Sequence, residues 1–368
     1  MVTLALVVAV VAVVVPRATS GAAGTPVTTI SLHTPWYQPR AEAGTTDDYH
    51  CTLIDPHVRH DSYIVSSKFT AGSVEDHHAA LFLVPPAAAT AALRSGVLRH
   101  GWTCFGEAAL PGTSIFEFLK NPMLSEWAPG HGADVLPLGT GIPLPKGSLV
   151  VIQVHYNLLV GHRPVRNRLV LKTVPANAPI KPLKLDIMLA APNIPCPTGS
   201  SGPLCSPEAS LVNQGVRFGP AAEQEAAGID GLCHIDPTSP PASDTASCDS
   251  VITNSGYIVR TQAHMHLLGV SFKMVLDPGT SRARTVLDVP EYNFHYQRAY
   301  NLAHPVPVTA GEPVRVTCTY NPQLEQELPD LRRVAPHFVT WGDGSTDEMC
   351  IGLAYIAHKL PKGVTPAA

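Results

Sequence analysis

The chain has little charge and few aromatic residues. Of its 368 residues, 15% are charged and 6% are aromatic, with 25 Lys and Arg against 29 Asp and Glu. This balance, without a basic run anywhere, argues against a nucleic-acid partner, because binding by counterion release needs clustered Lys and Arg. The hydrophobic share of 45% is enough for large buried cores and excludes a mostly disordered chain.

Long hydrophobic runs are missing, with one exception near the N-terminus. The stretch 4–15 (LALVVAVVAVVV) is shorter than the roughly 20 residues that a membrane helix needs. Small residues follow it, so 1–24 is predicted to be a secretory signal peptide. No Lys or Arg precedes the run, which leaves an uncleaved anchor as the alternative. The predicted location is extracellular, or the cell surface if the segment is kept, with no other membrane contact.

The chain also lacks a Cys-x2-Cys pair, which argues against a structural zinc site. An even number of cysteines behind an export signal indicates disulfides formed in an oxidising compartment. The eight cysteines are Cys51, Cys104, Cys196, Cys205, Cys233, Cys248, Cys318 and Cys350.

Turn-forming residues are abundant, with 28 Gly and 36 Pro, and helical periodicity is weak. Runs with β-branched residues and a period of two indicate strands. They lie at 62–69, 80–84, 148–160, 168–174, 183–189, 257–276, 314–321 and 350–360. The pattern predicts an all-β, disulfide-stabilised fold of sandwiches or barrels. The best helical candidates are 87–98 and 115–119.

Three prolines in close succession, Pro175, Pro179 and Pro182, predict a linker between the two domains. The domains are placed at 28–178 and 179–362. A segment rich in Cys, Pro, Gly and Ser at 195–255 is interpreted as a disulfide-pinned insertion in the second domain. Residues 363–368 are predicted to be a disordered tail.

The most suggestive histidines are His264 and His266, inside the run 257–276. Residues i and i+2 of a strand point to the same face, so the two imidazoles would form half of a metal site. For such a pair alone, two solvent-facing histidines are the more common interpretation.

Three further residues could complete metal sites. His77 and His78 are adjacent, so joint ligation requires a bulge or a strand end. His155 interrupts an apolar strand and by itself would be a hydrogen-bonded core residue. Met349 offers a thioether, a soft ligand that suits reduced copper, and by itself would be a core residue. If Met349 faces a metal, Cys350 faces away and is free for a disulfide.

Taken together, these segments resemble the copper type II, ascorbate-dependent monooxygenases, the family of the peptidylglycine α-hydroxylating and dopamine β-hydroxylating enzymes. The matching stretches, in the family's order, are Tyr49–Cys51, Asp76–His78, Leu149–Tyr156, Ala263–Leu268, Thr317–Asn321 and Asp347–Cys350. The run at 292–297 (YNFHYQ) is more similar to the catecholamine-hydroxylating branch. The segment 195–255 departs from the animal enzymes in length and cysteine content.

The resemblance implies an all-β fold of two tandem jelly-roll-like β-sandwich domains. It also implies two copper ions per chain, one in each domain. The electron-transfer copper would be held by His77, His78 and His155. The catalytic copper, where oxygen and substrate meet, would be held by His264, His266 and Met349. Ascorbate or a similar one-electron reductant would reduce both ions, and a C–H bond of a small organic substrate would be hydroxylated with O2.

The resemblance also suggests the disulfides Cys51–Cys104 and Cys318–Cys350. The other four cysteines allow three connectivities. Of these, the local pairs Cys196–Cys205 and Cys233–Cys248 are favoured.

The resemblance stops at the substrate. Peptide-amidating members carry an Arg two residues before the first His of the H-x-H motif, and Gln262 stands there in this chain. Their Asn and Tyr after the Met-Cys pair correspond to Ile351 and Leu353. A peptide carboxylate would be left unpaired at such a site, and Arg260 is too far along the strand to carry weight. The chain is therefore predicted not to hydroxylate peptidylglycine, and a catecholamine or another small apolar or aromatic substrate stays open.

Two alternatives to an enzyme are considered. A non-catalytic copper protein for storage, delivery or sensing would not need one all-histidine site and one methionine-containing site in separate domains. A purely structural adhesion-type sandwich leaves the co-occurrence of the histidine motifs unexplained. The sequence does not establish the physiological reductant or the oligomeric state.

Overall fold

The computed structural model describes residues 25–41, 46–94, 101–104, 110, 123–158, 161–329, 331–332 and 334–367. The predicted signal peptide and the helix candidate 115–119 lie outside the described residues. Within them the fold is mostly β, with 44% strand and 14% helix, which confirms the predicted fold class. No helix of the described residues is long and apolar enough to cross a membrane.

The largest sheet has nine strands and runs through both predicted domains. Its path order is β1 (Thr28–His33), β10 (Arg168–Pro175), β3 (Ser62–Thr70), β8 (Thr140–Leu144), β11 (Lys181–Leu189), β20 (Ile351–Ala357), β14 (Gly256–His264) and β17 (Ala299–Val308), with β7 (Asp134–Val135) paired to β3. The sheet passes from one half to the other where β8 and β11 pair in parallel. Strand β11 begins at Lys181, so only 176–180 of the proline-rich stretch is outside the strands.

Three smaller sheets complete the strand set. A five-stranded sheet has the order β5 (Trp102–Thr103), β2 (Asp47–Ile54), β9 (Leu149–Asn157), β4 (Asp76–Val84) and β6 (Met123–Trp127). A four-stranded sheet has the order β13 (Thr245–Val251), β18 (Pro313–Tyr320), β15 (Gly269–Leu276) and β16 (Arg284–Val289). The two-stranded sheet consists of β12 (Asn193–Ile194) and β19 (Val339–Thr340).

Side-chain alternation explains how these sheets bury their inner faces. In β18, Val314, Val316, Cys318 and Tyr320 are buried, whereas the residues between them are more exposed. Successive residues of a strand point to opposite faces, so this pattern belongs to a strand with one covered face. Strand β9 is different, because all nine of its residues are buried. It is the middle strand of the five-stranded sheet and packs on both sides.

The two halves share strands β14 and β20. On one face of this pair, Ile258 and Ile356 belong to the core of the C-terminal half (179–362). On the other face, Val259, Leu353 and Tyr355 belong to the core of the N-terminal half (28–178). The same two strands therefore contribute to both cores, and the halves pack directly on each other.

The described helices are few and short. They are α1 (Pro86–Arg94), α2 (Pro207–Phe218), α3 (Pro220–Leu232) and α4 (Leu324–Glu327), with 3-10 turns at Pro203–Cys205 and Phe294–Tyr296. Helix α1 coincides with the start of the candidate 87–98, whose residues 95–98 lie outside the described part.

The segment 195–255 is more regular than expected. Helices α2 and α3 form a hairpin within it, and β13 follows. Helix α2 begins with Ser206, whose side chain accepts the amide of Ala209, and α3 begins at Pro220 directly after Gly219. A capping side chain and a proline in the first turn both favour helix initiation. The sequence analysis did not predict these two helices, and the interpretation of the segment as an insertion stays a prediction.

All four predicted disulfides are present. They are Cys51–Cys104, Cys196–Cys205, Cys233–Cys248 and Cys318–Cys350. The second and third flank the helical hairpin, and the fourth joins β18 to the residue just before β20. At the C-terminus, where a disordered tail is predicted, residues up to Ala367 are described, and the amide of Ala367 donates to the carbonyl of Pro305.

A buried carboxyl in α4 generates a testable pH dependence. Glu325 is 6% exposed, and burial raises its pKa from 4.5 to about 7. The folded state therefore holds this proton more tightly than the unfolded state, so the stabilising contribution is present below pH 4.5 and is lost as the pH rises through about 7. We expect Glu325→Gln to gain stability over the parent as the pH rises from about 5 to about 8 in urea unfolding. The exposed Glu327→Gln is the matched control, and an equal pH trend in both variants would contradict the assignment.

Candidate metal centre

A β-bulge turns the adjacent His77 and His78 towards the same place. In the pairing of β4 with β9, Asp76 lies opposite Tyr156 and His78 lies opposite His155, with a register shift between Asp76 and His78. One extra residue, His77, is therefore accommodated on β4. The structure thus contains the bulge that joint ligation by adjacent residues requires.

The three imidazoles of His77, His78 and His155 converge through their Nδ1 atoms. The Nδ1 atom of His155 lies 3.3 Å from that of His77 and 3.3 Å from that of His78. Burial lowers the pKa of His77 to about 3 and that of His78 well below its usual value, with neighbouring imidazoles contributing. Neutral imidazoles with converging nitrogen atoms form a donor set that suits a transition metal such as copper. The residues present therefore fit the group that the resemblance implies.

His155 is oriented through its second ring nitrogen. Its Nε2 lies 2.7 Å from Oδ1 of Asp47, and the hydroxyl of Ser345 donates to the same oxygen at 2.9 Å. Burial alone would raise the pKa of Asp47, but the hydrogen bonds from His155 and Ser345 hold it below its usual value. The ring of Tyr49 stacks on His155 at 4.2 Å between centroids. A carboxylate next to Nε2 places the ring proton on Nε2. The lone pair that can bind a metal is then on Nδ1.

His264 and His266 are close together, although they do not lie in one continuous strand. Strand β14 ends at His264, and β15 begins at Gly269, whose amide donates to the carbonyl of His266. The prediction that both histidines lie inside one strand is therefore wrong for His266. The two ring centroids are 5.2 Å apart nonetheless.

A buried carboxylate supports the turn after β14. Glu348 accepts the amide of His266 at 2.8 Å and the amide of Leu268 at 2.6 Å. These bonds replace the partners that a continuing strand would have supplied. Burial raises the pKa of Glu348 to about 8, despite the amides that donate to it.

The Nδ1 atoms of this second pair are both occupied. Nδ1 of His264 lies 2.7 Å from Oε1 of Glu126 and 2.8 Å from Oε1 of Gln297. Burial lowers the pKa of His264, but Glu126 outweighs it and the pKa is raised. Nδ1 of His266 lies 3.0 Å from the carbonyl oxygen of Asp347, and burial holds the pKa of this ring low. In both rings Nε2 is therefore the atom left to bind a metal.

Met349 lies two residues before the start of β20 and belongs to a small apolar cluster. The antiparallel register of β14 and β20 sets His264 opposite Ile351. Extension of this register by two residues would set His266 opposite Met349. Its side chain is 9% exposed and packs in a small apolar cluster with Ala226, Ile229 and Trp341. The role of Met349 as a ligand stays a prediction. The neighbouring Cys350 lies in the core of the C-terminal half and bonds to Cys318, in line with the expected alternation.

The two histidine sets adjoin each other. The ring centroid of His78 lies 6.2 Å from that of His264 and 6.4 Å from that of His266. The ring of Phe294 lies within 5.0–6.1 Å of His77, His78 and His266. Five imidazoles and one phenyl ring therefore form a continuous cluster between the halves. The sequence did not predict that the two histidine sets lie next to each other.

Several supporting residues were not singled out from the sequence. They are Asp47, Glu126, Phe294, Gln297, Ser345 and Glu348. Phe294, Gln297 and Glu348 lie inside stretches quoted for the family resemblance, which was the available signal. No sequence signal pointed to Glu126, because this residue contacts His264 only through the packing of one half on the other.

A cavity of about 280 Å³ lies beside Glu126, the residue that contacts Nδ1 of His264. Glu126 lines it together with Phe69 and Trp127 from the N-terminal half, and Arg260 and Arg298 from the C-terminal half. The carboxylate that contacts His264 therefore also borders a space that small molecules can enter.

Comparisons with known proteins bear on the C-terminal half. Residues 222–363 match the family model for the copper type II ascorbate-dependent monooxygenase C-terminal domain. The match begins inside the segment 195–255 and includes His264, His266 and Met349. No match is found among curated proteins.

Solved structures give only weak similarities. An allantoicase has a TM-score of 0.20 at 8% identity, covering 88% of this chain and 81% of that chain. Allantoicase from Saccharomyces cerevisiae has a TM-score of 0.19 at 6% identity, with coverage of 86% and 80%. Oxalate decarboxylase from Bacillus subtilis has a TM-score of 0.15 at 9% identity, with coverage of 94% and 80%. These scores carry no argument about fold or function. The family model carries an argument for residues 222–363 alone, which are similar to the C-terminal domain of the copper type II ascorbate-dependent monooxygenases.

Proposed function

We propose that this protein is an exported copper-dependent monooxygenase that hydroxylates a C–H bond of a small organic substrate with O2 and an ascorbate-type reductant. The observation that carries the proposal is the convergence of three Nδ1 atoms beside the His264–His266 pair of the matched domain. The four disulfides support export, because such bonds persist in oxidising compartments.

Each histidine set would hold one copper ion. His77, His78 and His155 would bind the first ion through Nδ1, and His264 and His266 would bind the second through Nε2, with Met349 as the proposed third ligand. Bound copper would supply one-electron redox chemistry and the activation of oxygen.

The chain's own residues would prepare both sites for these ions. Asp47 and Glu126 fix two of the rings by accepting from the nitrogen that does not bind the metal. His78 and His266 are only 6% and 2% exposed, so water is largely excluded around them. The adjoining sets keep the path of an electron between them short, through rings that are already in contact.

The contacts around the second pair argue for a substrate without a peptide carboxylate. The amide of Gln262 donates to Glu126 at 2.6 Å, and Leu353 is buried in the core of the N-terminal half. Arg260 is 3% exposed, pairs with Asp134 and lies over the ring of Tyr355. These positions offer no available cation for a carboxylate. A catecholamine or another small apolar or aromatic molecule fits them better.

A non-catalytic copper-binding protein is the second candidate. The observation that favours it is the Met349 side chain, which packs among Ala226, Ile229 and Trp341. Without a thioether ligand, the second site would hold its ion through two imidazoles only. Ascorbate-dependent oxygen consumption coupled to product formation separates the two candidates.

The copper content tests the ligand assignment. We expect two copper ions per chain in the loaded and desalted parent protein and about one in His155→Ala, because the three-histidine set loses its central donor. Elemental analysis measures both. The exposed His304→Ala is the control and should retain two ions. A parent with one ion or none would contradict the two-site assignment.

Turnover tests the proposed chemistry. We expect oxygen consumption that depends on ascorbate and yields a hydroxylated product from a small aromatic amine or a related substrate. Met349→Ala should reduce this turnover to background while the three-histidine site still binds copper. Efficient hydroxylation of a glycine-extended peptide by the pure parent would show that the substrate assignment is wrong.

A further inference from the structure

We propose that Glu126 is a positioning residue for His264, supplied across the interface, so that the second histidine set is complete only when the two halves are docked. The inference rests on the proposed function in one respect, because it takes copper as the ion that His264 binds.

Glu126 belongs to the N-terminal half and lies close to the first histidine set. It is in β6, which pairs with β4, the strand that carries His77 and His78. Its partners, however, are on β14 of the C-terminal half. One carboxylate oxygen lies 2.7 Å from Nδ1 of His264, and the other accepts the amide of Gln262 at 2.6 Å. The carboxylate therefore contacts two side chains on one face of the strand.

This contact fixes which nitrogen of His264 is available to a metal. A carboxylate only accepts, so the Nδ1 atom that faces it carries a proton, and Nε2 is the nitrogen whose lone pair can bind a metal once the ring is neutral. Gln297 also contacts Nδ1, but its oxygen is a neutral acceptor. The charge-assisted bond to Glu126 is the stronger one, and it increases the electron donation of the imidazole to a bound ion.

Each half supplies a side chain that helps to orient a histidine of the other half. Ser345 of the C-terminal half donates to Asp47, which in turn orients His155 of the N-terminal half. Glu126 performs the corresponding task for His264. An ion bound at either set therefore favours the docked arrangement that completes the other, and linkage makes this effect mutual.

The interface does not depend on Glu126 alone. Arg260 pairs with Asp134 across the halves, and Val259 and Tyr355 pack in the core of the N-terminal half. Removal of the Glu126 carboxylate should therefore change the second metal site while the halves stay docked.

The test compares copper binding by the full-length parent, Glu126→Ala, Glu126→Gln and Glu208→Ala, a control in which an exposed Glu in the first turn of α2 is changed. We expect Glu126→Ala to bind its second copper ion about 10–100-fold more weakly, the range found when a residue that orients a ligand is removed. The first ion should bind as in the parent. Glu126→Gln should recover part of the affinity, because its amide oxygen can still accept from Nδ1.

Two further readouts separate positioning from a loss of folding. Thermal unfolding of the copper-free proteins should be cooperative for all four chains. Glu126→Ala should have the lowest midpoint, because two buried donors lose their acceptor. The Cu(II) EPR spectrum of the second site should change in both Glu126 variants. If Glu126→Ala fails to fold, Glu126→Gln decides by its affinity and spectrum. Parent-like affinity and spectrum in the folded Glu126 variants would overturn this inference alone. Fewer than two ions on the parent would overturn the proposed function and this inference with it.

Discussion

The structure depends on one constraint, the burial of β14 and β20 on both faces. Ile258 and Ile356 pack into one core, while Val259 and Leu353 pack into the other. A strand buried on both faces cannot slide or rotate against either neighbour without opening a core. His264 at the end of β14 is therefore held at a set position relative to the N-terminal half, which carries the three-histidine set. The approach of the two histidine sets follows from shared packing.

Four buried imidazoles and the half-buried His77 can lie together because their polar atoms have partners. A buried polar atom without a hydrogen bond costs free energy, and a buried charge costs more. His77 and His78 are kept neutral by burial. The outward-facing nitrogens of His155 and His264 bond to Asp47 and Glu126. The Nδ1 atoms of His77, His78 and His155 face one another instead, and this convergence is what makes the cluster a candidate metal centre.

Sequence patterns predicted the local features well and the long-range ones poorly. β-branched residues with a period of two located the strands. Joint ligation by the adjacent His77 and His78 already required the bulge that the structure shows. The helical hairpin was missed although Ser206 and Pro220 mark its two helix starts, because helical periodicity along the chain is weak. The contact between Glu126 and His264 joins residues far apart in the chain. No local pattern encodes it, and only the packing of the halves reveals it.

The helical hairpin matters because it packs on the loop that leads to Met349. Arg217 in α2 pairs with Asp347 in that loop, and α3 contributes Ala226 and Ile229 to the cluster around the Met349 side chain. The same loop reaches the other half, where Tyr49 donates to the carbonyl of Asp343. The helical hairpin therefore contributes directly to the surroundings of the proposed thioether ligand. A change in the hairpin acts on the Met349 environment and, through the loop, on the residues that support the three-histidine set.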